Sequence, residues 1–344
     1  AKTGGTPNHR RAIYGSSPSD LWLDAYAHFN GSKWSTTTSL HPPFKARVNA
    51  GWAAPSGFCV VVAEGGSIAT HPAGKPAGSW VDSNKGPTLR GVTGLGDGAV
   101  IVGDEGTILR DDGRTQTPMG SPVSTNLYGV WSASASEAYA VGAKGVVLRY
   151  DGQSWKEEQS GTTAALYNVW GAPSGVVFAA GHQTLRQRQG GTWTAVSLPA
   201  AVSKTSFRAV WGSGDDDIYV AGSSRTIAHF DGTDWKVVEL GNLVPSSTVF
   251  HGIWGSGKND VYVVGDLGVA DLYVLHFDGQ SWKREQESTY GQTEGICGTP
   301  SRLFAAGYST SGAPVILSKP VGSNSWTADA LKVPFDARLY AIWS

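Results

Sequence analysis

The sequence predicts an all-β fold, a β-propeller most consistent with eight four-stranded blades, or seven if one unit unravels. Three observations carry that reading. A motif recurs about every forty residues along the chain. All 14 tryptophans fall on that recurrence. Within each unit, short runs of β-branched and aromatic residues are bounded by Gly, Ser, Asp and Asn, with no amphipathic helical stretch between units.

The repeat is plainest as FHGIWGSGKNDVYVVG then VLHFDGQSW, from Phe250 to Trp282. The copy before it runs from Phe207 to Trp235, and earlier copies open at Leu127 and Leu166. Weaker copies are anchored at Tyr14, Trp52, Thr93 and Cys297, and LYAIWS repeats the opening strand at Trp343. The anchors Tyr14, Trp52, Thr93, Trp131, Trp170, Trp211, Trp254, Cys297 and Trp343 are separated by 38, 41, 38, 39, 41, 43, 43 and 46 residues. That makes eight full units and one further strand, a single domain over residues 1–344.

Each unit then reads in order. GVWG supplies an innermost strand and DVYVVG a second. A third run ends at a turn such as Asp151-Gly152, Asp231-Gly232 or Asp278-Gly279, where Gly tolerates left-handed backbone. A fourth, more polar strand begins at the closing Trp. Six tryptophans hold the anchor position and seven the closing one (Trp34, Trp80, Trp155, Trp193, Trp235, Trp282, Trp326). Trp22 takes the place of Tyr139, Phe178, Tyr219, Tyr262 and Phe304. These positions make the tryptophans core residues rather than ligand-stacking ones. Closure is open at this stage, because HRRAIYG and RLYAIWS both look like the same first strand.

Composition removes several classes. The 46 Gly follow no Gly-X-Y period and 40% of residues are hydrophobic, which excludes a collagen and a disordered chain. With 27 Lys plus Arg against 28 Asp plus Glu there is no polybasic footprint for nucleic acid. No apolar run is long enough to span a bilayer. The opening AKTGGTPNHRR has neither Met nor an apolar signal core, as in a chain numbered after processing or trimming.

The pattern VWG…DVYVVG…HFDGxxW resembles the repeat of many secreted or surface-attached bacterial β-propeller proteins, strongly from residue 127 to 282 and weakly at the ends. The resemblance implies binding and scaffolding, with catalysis the exception, and an extracytoplasmic (secreted or cell-surface) setting. It is not the WD40 pattern, since no Gly-His…Trp-Asp signature recurs.

No catalytic motif is present: no P-loop, HExxH, GxSxG or Cys-x-x-Cys. Cys59 and Cys297 are expected as buried thiols, and Asp215-Asp216-Asp217 as a solvated turn rather than a calcium site. No metal or cofactor is expected. The informative residues lie three before each anchor, at the entrance of the innermost strand: Arg11, Asn49, Arg90, Tyr128, Tyr167, Arg208, His251 and Glu294, with Tyr340 in the extra strand. Turns between second and third strands open on the same face and contribute Glu64, Asp104, Glu105, Lys144, His182, Arg225, Asp266 and Tyr308. Together these would form a polar, aromatic-bearing rim around one mouth of the channel. Insertions around Asp266 to Tyr273 and from Gly307 would rise beside it.

Three functions follow from this rim. The first is a non-enzymatic binding scaffold for a protein or glycan, part of a larger surface assembly. The second is a glycan lyase or hydrolase using Glu294 with His251 or Tyr128. The third is a structural subunit that pairs through exposed strand edges or the extra terminal strand.

Overall fold

The computed structural model describes strands from residue 9 to residue 342. Side chains are described for residues 49–54, 56, 58–71, 86–268, 271–286, 295–298, 302–305, 317–323 and 325–327. Eight sheets are formed among the described residues. Seven are four-stranded antiparallel blades, numbered here as sheets 2 to 8 for residues 48–84, 89–118, 127–158, 166–195, 207–237, 249–288 and 292–330. Sheet 1 is different: His9–Ser17 pairs antiparallel with Asp20–Leu23 and parallel with Ala337–Ile342, giving five strands. The expectation of eight four-stranded blades is corrected accordingly, to seven of that kind and one sheet built from both chain ends. Both candidate first strands are used, side by side, so the terminal strand is already paired within its own chain.

The repeat alignment is reproduced by backbone register. Each anchor faces the equivalent second-strand residue: Tyr14 with Trp22, Trp52 with Val60, Thr93 with Val100, Trp131 with Tyr139, Trp170 with Phe178, Trp211 with Tyr219, Trp254 with Tyr262 and Cys297 with Phe304. Second strands such as Cys59–Ala63, Gly98–Gly103 and Asp217–Gly222 are buried along their whole length. That follows from a blade covered on both faces by its neighbours. First strands contact one another in chain order around the ring, and Ala337–Ile342 contacts both the first strand of sheet 8 and that of sheet 2. Among the described residues no helix is long and apolar enough to cross a membrane.

Tryptophans join the sheets in two ways. An anchor Trp lies on the glycine that follows the next sheet's anchor: Trp52 on Gly94, Trp131 on Gly171, Trp170 on Gly212, Trp211 on Gly255 and Trp254 on Gly298. A closing Trp meets the preceding sheet's second-strand ring edge-on, as Trp193 does Tyr139 (6.3 Å), Trp235 Phe178 (6.2 Å) and Trp282 Tyr219 (6.1 Å). Their assignment to packing therefore holds wherever their side chains are described.

The DG turns take a form other than a two-residue hairpin. Only the Gly is left-handed (φ 91° at Gly152, 89° at Gly232, 85° at Gly279). The preceding Asp caps the turn instead. Asp151 accepts from the Gln153 and Ser154 amides, Asp231 from Thr233 and Asp234, and Asp278 from Gln280 and Ser281. Lys156, Lys236 and Lys283, each one residue after a closing Trp, bind the same carboxylates.

Candidate functional site

In sheets 2 to 8 the candidate residue at the first-strand entrance is the one skipped by the ladder, whereas Arg11 pairs with Leu339. Register shifts fall across Asn49, Arg90, Tyr128, Tyr167, Arg208, His251 and Glu294, leaving each as the extra residue of a β-bulge. A bulge releases its extra residue from strand pairing and re-aims it. One structural device, repeated in seven consecutive sheets, thus sets this column apart from the packed lattice around it.

Across sheets 3 to 6 the column is continuous. Arg90 Nε and Nη2 grip Asp104 in two parallel bonds of 2.5 and 2.9 Å. The same guanidinium sits 5.5 Å from the centre of the Tyr128 ring. Tyr128 and Tyr167 rings lie 6.1 Å apart, and Arg208 stands 6.0 Å over Tyr167. Asn49 joins from sheet 2, donating to the Leu89 carbonyl at 2.6 Å. The result is an Arg–Tyr–Tyr–Arg row with half-buried rings and an exposed guanidinium at Arg208. Arg208 has no carboxylate within ion-pair distance among the described residues, whereas Arg90 is committed to Asp104.

The predicted turn residues divide. Asp104 joins the row, and His182 Nδ1 lies 2.9 Å from Ser206 Oγ near Arg208 in sequence. Glu64, Glu105 and Lys144 sit in tight turns, Glu105 and Lys144 exposed and left-handed (φ 58° and 57°). Arg225 instead binds the carbonyls of Gly241 (2.6 Å) and Val244 (3.1 Å) and holds a linker. Asp266 is buried, with His251 Nε2 at 3.2 Å from Oδ2 but not aligned for a hydrogen bond. The insertion around it is shorter than expected, because Tyr273 belongs to the strand Leu272–Phe277 and is 2% exposed. Side chains of Arg11, Glu294, Tyr308 and Tyr340 and the segment 309–313 lie outside the described residues.

The aspartate triplet is not one solvated turn. Asp217 is 1% exposed and bonds Ser213 Oγ and His229 Nε2, while Asp215 accepts from the Ser174 amide of the neighbouring sheet. Among the described residues no three His, Cys, Asp or Glu side chains converge to hold a metal ion. Cys59 and Cys297 are both buried and neither forms a disulfide. Burial pushes the Cys297 thiol pKa up, away from nucleophilic use.

Sequence reasoning missed polar clusters of two kinds, one within a sheet and one between sheets. Ser213–Asp217–His229 recurs as Ser256–Asp260–His276, each histidine stacked on the second-strand tyrosine (4.0 Å on Tyr219, 4.1 Å on Tyr262). Serine and histidine both bond the aspartate and not each other, so this is no nucleophile–base pair. A second cluster joins Glu158 to Arg188 (2.7 Å) and to Trp193 Nε1 (2.7 Å) of the next sheet. Its counterpart joins Glu285 to Lys319 (2.6 Å), Trp326 Nε1 (3.0 Å) and His276 (2.7 Å). The signal was available: Glu158 and Glu285 each stand three residues after a closing Trp, and HFDG accompanies an aspartate two before the second-strand Tyr.

No protein-family model and no curated protein sequence matches the chain. Solved structures do. YCF48 bound to a D1 peptide superposes with a TM-score of 0.58 at 15% identity, covering 78% of this chain and 91% of its own. Saccharomyces cerevisiae Sqt1 gives 0.70 at 12% identity, covering 91% and 96%. The WD40 β-propeller domain of Doa1 gives 0.58 at 11% identity, covering 90% and 93%. The chain is a β-propeller. These propeller structures share its architecture at identities that carry no residue roles, and this chain builds the architecture without the WD40 signature.

Proposed function

We propose that this propeller is a non-enzymatic scaffold that docks a protein partner on the channel-mouth face, through the row Arg90–Tyr128–Tyr167–Arg208. The observation that carries the reading is the row itself: four binding-type side chains on four consecutive sheets, all presented by bulges. Arginine and tyrosine are the residues that concentrate binding energy at protein interfaces. YCF48, which shares the fold, is a propeller with a bound peptide, and that supports a peptide or protein rather than a glycan as the first partner to test. The setting that goes with this reading is a bacterial surface or secreted assembly, as the resemblance of the VWG…HFDGxxW repeat suggests.

The test is capture from surface and secreted fractions with the wild-type chain and with Tyr167→Ala and Arg208→Ala. The expected result is one enriched protein, lost with either variant while the melting temperature is kept. Equal capture by all three chains, or enrichment of none alongside a positive glycan array, overturns it.

A further inference from the structure

The row Arg90–Tyr128–Tyr167–Arg208 is evenly stepped. The Arg90 guanidinium lies 5.5 Å from the Tyr128 ring, the two rings are 6.1 Å apart, and the Arg208 guanidinium is 6.0 Å from the Tyr167 ring. Glycine after the bulge lets neighbouring entrances pack backbone to backbone. A β-carbon at Gly91 would lie 3.4 Å from the Tyr128 carbonyl oxygen, and one at Gly129 only 2.8 Å from that of Tyr167. The step is therefore set by the sheets. Side chains i and i+2 of an extended chain, which share a face, are roughly 6.6 Å apart. An extended peptide laid along the row thus brings successive same-face side chains to successive members.

Charge along the row is one-sided. Arg90 is neutralised by Asp104, whereas Arg208 is exposed and has no carboxylate within ion-pair distance among the described residues. On sheets 4 to 6 this face is formed by the linkers 119–126, 159–165 and 196–206, the first-strand entrances, and the turns 142–146, 181–184 and 222–226. These segments carry Lys144, His182, Lys204, Arg208 and Arg225, and no Asp or Glu. Three of the five are engaged: Arg225 clamps its linker, His182 bonds Ser206, and Lys144 shares a cleft with Glu157. Arg208 is left, with the exposed Lys204 in the linker that enters sheet 6. Acids return only beyond this arc, at Asp104 and Glu105 of sheet 3 and at Glu239 in the linker that leaves sheet 6.

We propose, on the docking role read for this row above, that its partner presents an extended acidic segment. Two apolar side chains, two residues apart, lie on Tyr128 and Tyr167, and a carboxylate two residues further on is gripped by Arg208. The planar guanidinium suits a carboxylate through two parallel bonds, and the Tyr167 ring beneath supports it. Residues between these three point away from the row and are free to vary. One unpaired guanidinium on the row fits a single carboxylate, whereas a nucleic-acid strand calls for cations at several phosphates.

Selection from a phage-displayed library of random peptides tests this, on wild type, Tyr167→Ala, Arg208→Ala and Arg208→Glu, each first shown to keep its melting temperature. Wild type is expected to enrich Asp or Glu two residues beyond a pair of apolar residues that are themselves two apart. Arg208→Glu is expected to enrich Lys or Arg at that same place. A synthetic peptide of the wild-type consensus should bind Arg208→Ala about tenfold more weakly. Peptides that need Tyr167 but show no preferred acid, or the same peptides from wild type and Arg208→Glu, overturn the acidic partner and leave the docking row standing. Tighter binding of a labelled oligothymidylate than of the consensus peptide overturns it too. No enrichment by wild type, or enrichment indifferent to Tyr167→Ala, overturns both the acidic partner and the row.

Discussion

The indole of Trp131 packs against Gly171 of the following sheet, so closely that a β-carbon at 171 would overlap the ring. The same contact recurs at Gly94, Gly212, Gly255 and Gly298, each beneath the tryptophan anchor of the preceding sheet. Where the preceding anchor is Thr93, the glycine is replaced by Ser132, whose hydroxyl donates to the Gly94 carbonyl. At Gly171 the glycine is therefore dictated by the neighbouring unit, whereas at Gly212 and Gly255 a β-carbon would also meet the Asp217 or Asp260 carbonyl of the same sheet.

Gly171→Ala should cost about 1–3 kcal/mol, the range for forcing a methyl group into a packed interface. Ser132→Gly should cost no more than about 1 kcal/mol, since it removes one hydrogen bond and overlaps nothing. Urea unfolding of both variants checks the contrast. Equal losses would mean that backbone freedom, and not the Trp131 ring, sets the requirement.

Glu285 carries a pH prediction. Burial opposes its ionisation, but bonds from His276, Lys319 and Trp326 outweigh that and hold its pKa down to about 2. A folded-state pKa below the ordinary glutamate value stabilises the fold above the unfolded value and ceases to do so as pH falls toward the folded one. Stability should therefore decline between pH 4.5 and about 2 with a component on the order of 3 kcal/mol that Glu285→Gln lacks. At neutral pH that variant should itself lose about 3–5 kcal/mol, because Lys319, 2% exposed, is left buried beside a neutral amide. The double variant with Lys319→Met should recover most of the loss.

The sequence carried the lattice almost completely, because each Trp, Gly and DG turn answers a constraint that repeats in every sheet. It also placed Arg90, Tyr128, Tyr167 and Arg208 in one column, because the bulge that presents them sits at a fixed distance from the anchor. It did not show that Arg225 turns away to the linker carbonyls or that Asp266 is buried. Those outcomes depend on linker lengths that differ from unit to unit. The closing sheet needed a choice between two equivalent first strands, and the fold uses both.

Arg90 and Arg208 should behave differently on truncation. Arg208→Ala removes an exposed side chain that has no carboxylate partner among the described residues, so stability should move by no more than about 0.5 kcal/mol. Arg90→Ala strands the Asp104 carboxylate that it grips at both oxygens, and should cost about 1–3 kcal/mol as well as any binding. Melting curves separate the two effects before any partner is in hand. A stability loss at Arg208 equal to that at Arg90 would remove Arg208 from the binding surface.

The turn Ser223–Thr226 closes with both central residues, Ser224 and Arg225, left-handed at φ 57° and 58°. Equivalent turns place glycine second, at Gly66, Gly106 and Gly145. At Gly106 and Gly145 no side chain is possible, because a β-carbon would strike the Val123 or Thr162 carbonyl of the linker. Around Arg225 the linker runs differently: its Thr248 carbonyl accepts from the Arg225 amide, and Gly241 and Val244 take the guanidinium. Two left-handed residues without glycine cost about 1–2 kcal/mol each. Ser224→Gly should relieve its share and leave a gain of up to about 1 kcal/mol after glycine's greater unfolded freedom. Arg225→Gly relieves the same strain but deletes two hydrogen bonds to the linker, and should come out destabilising by about 1 kcal/mol. Opposite signs for two adjacent glycines, read by urea unfolding, would establish that Arg225 is a linker clamp. A gain in both would return it to the rim.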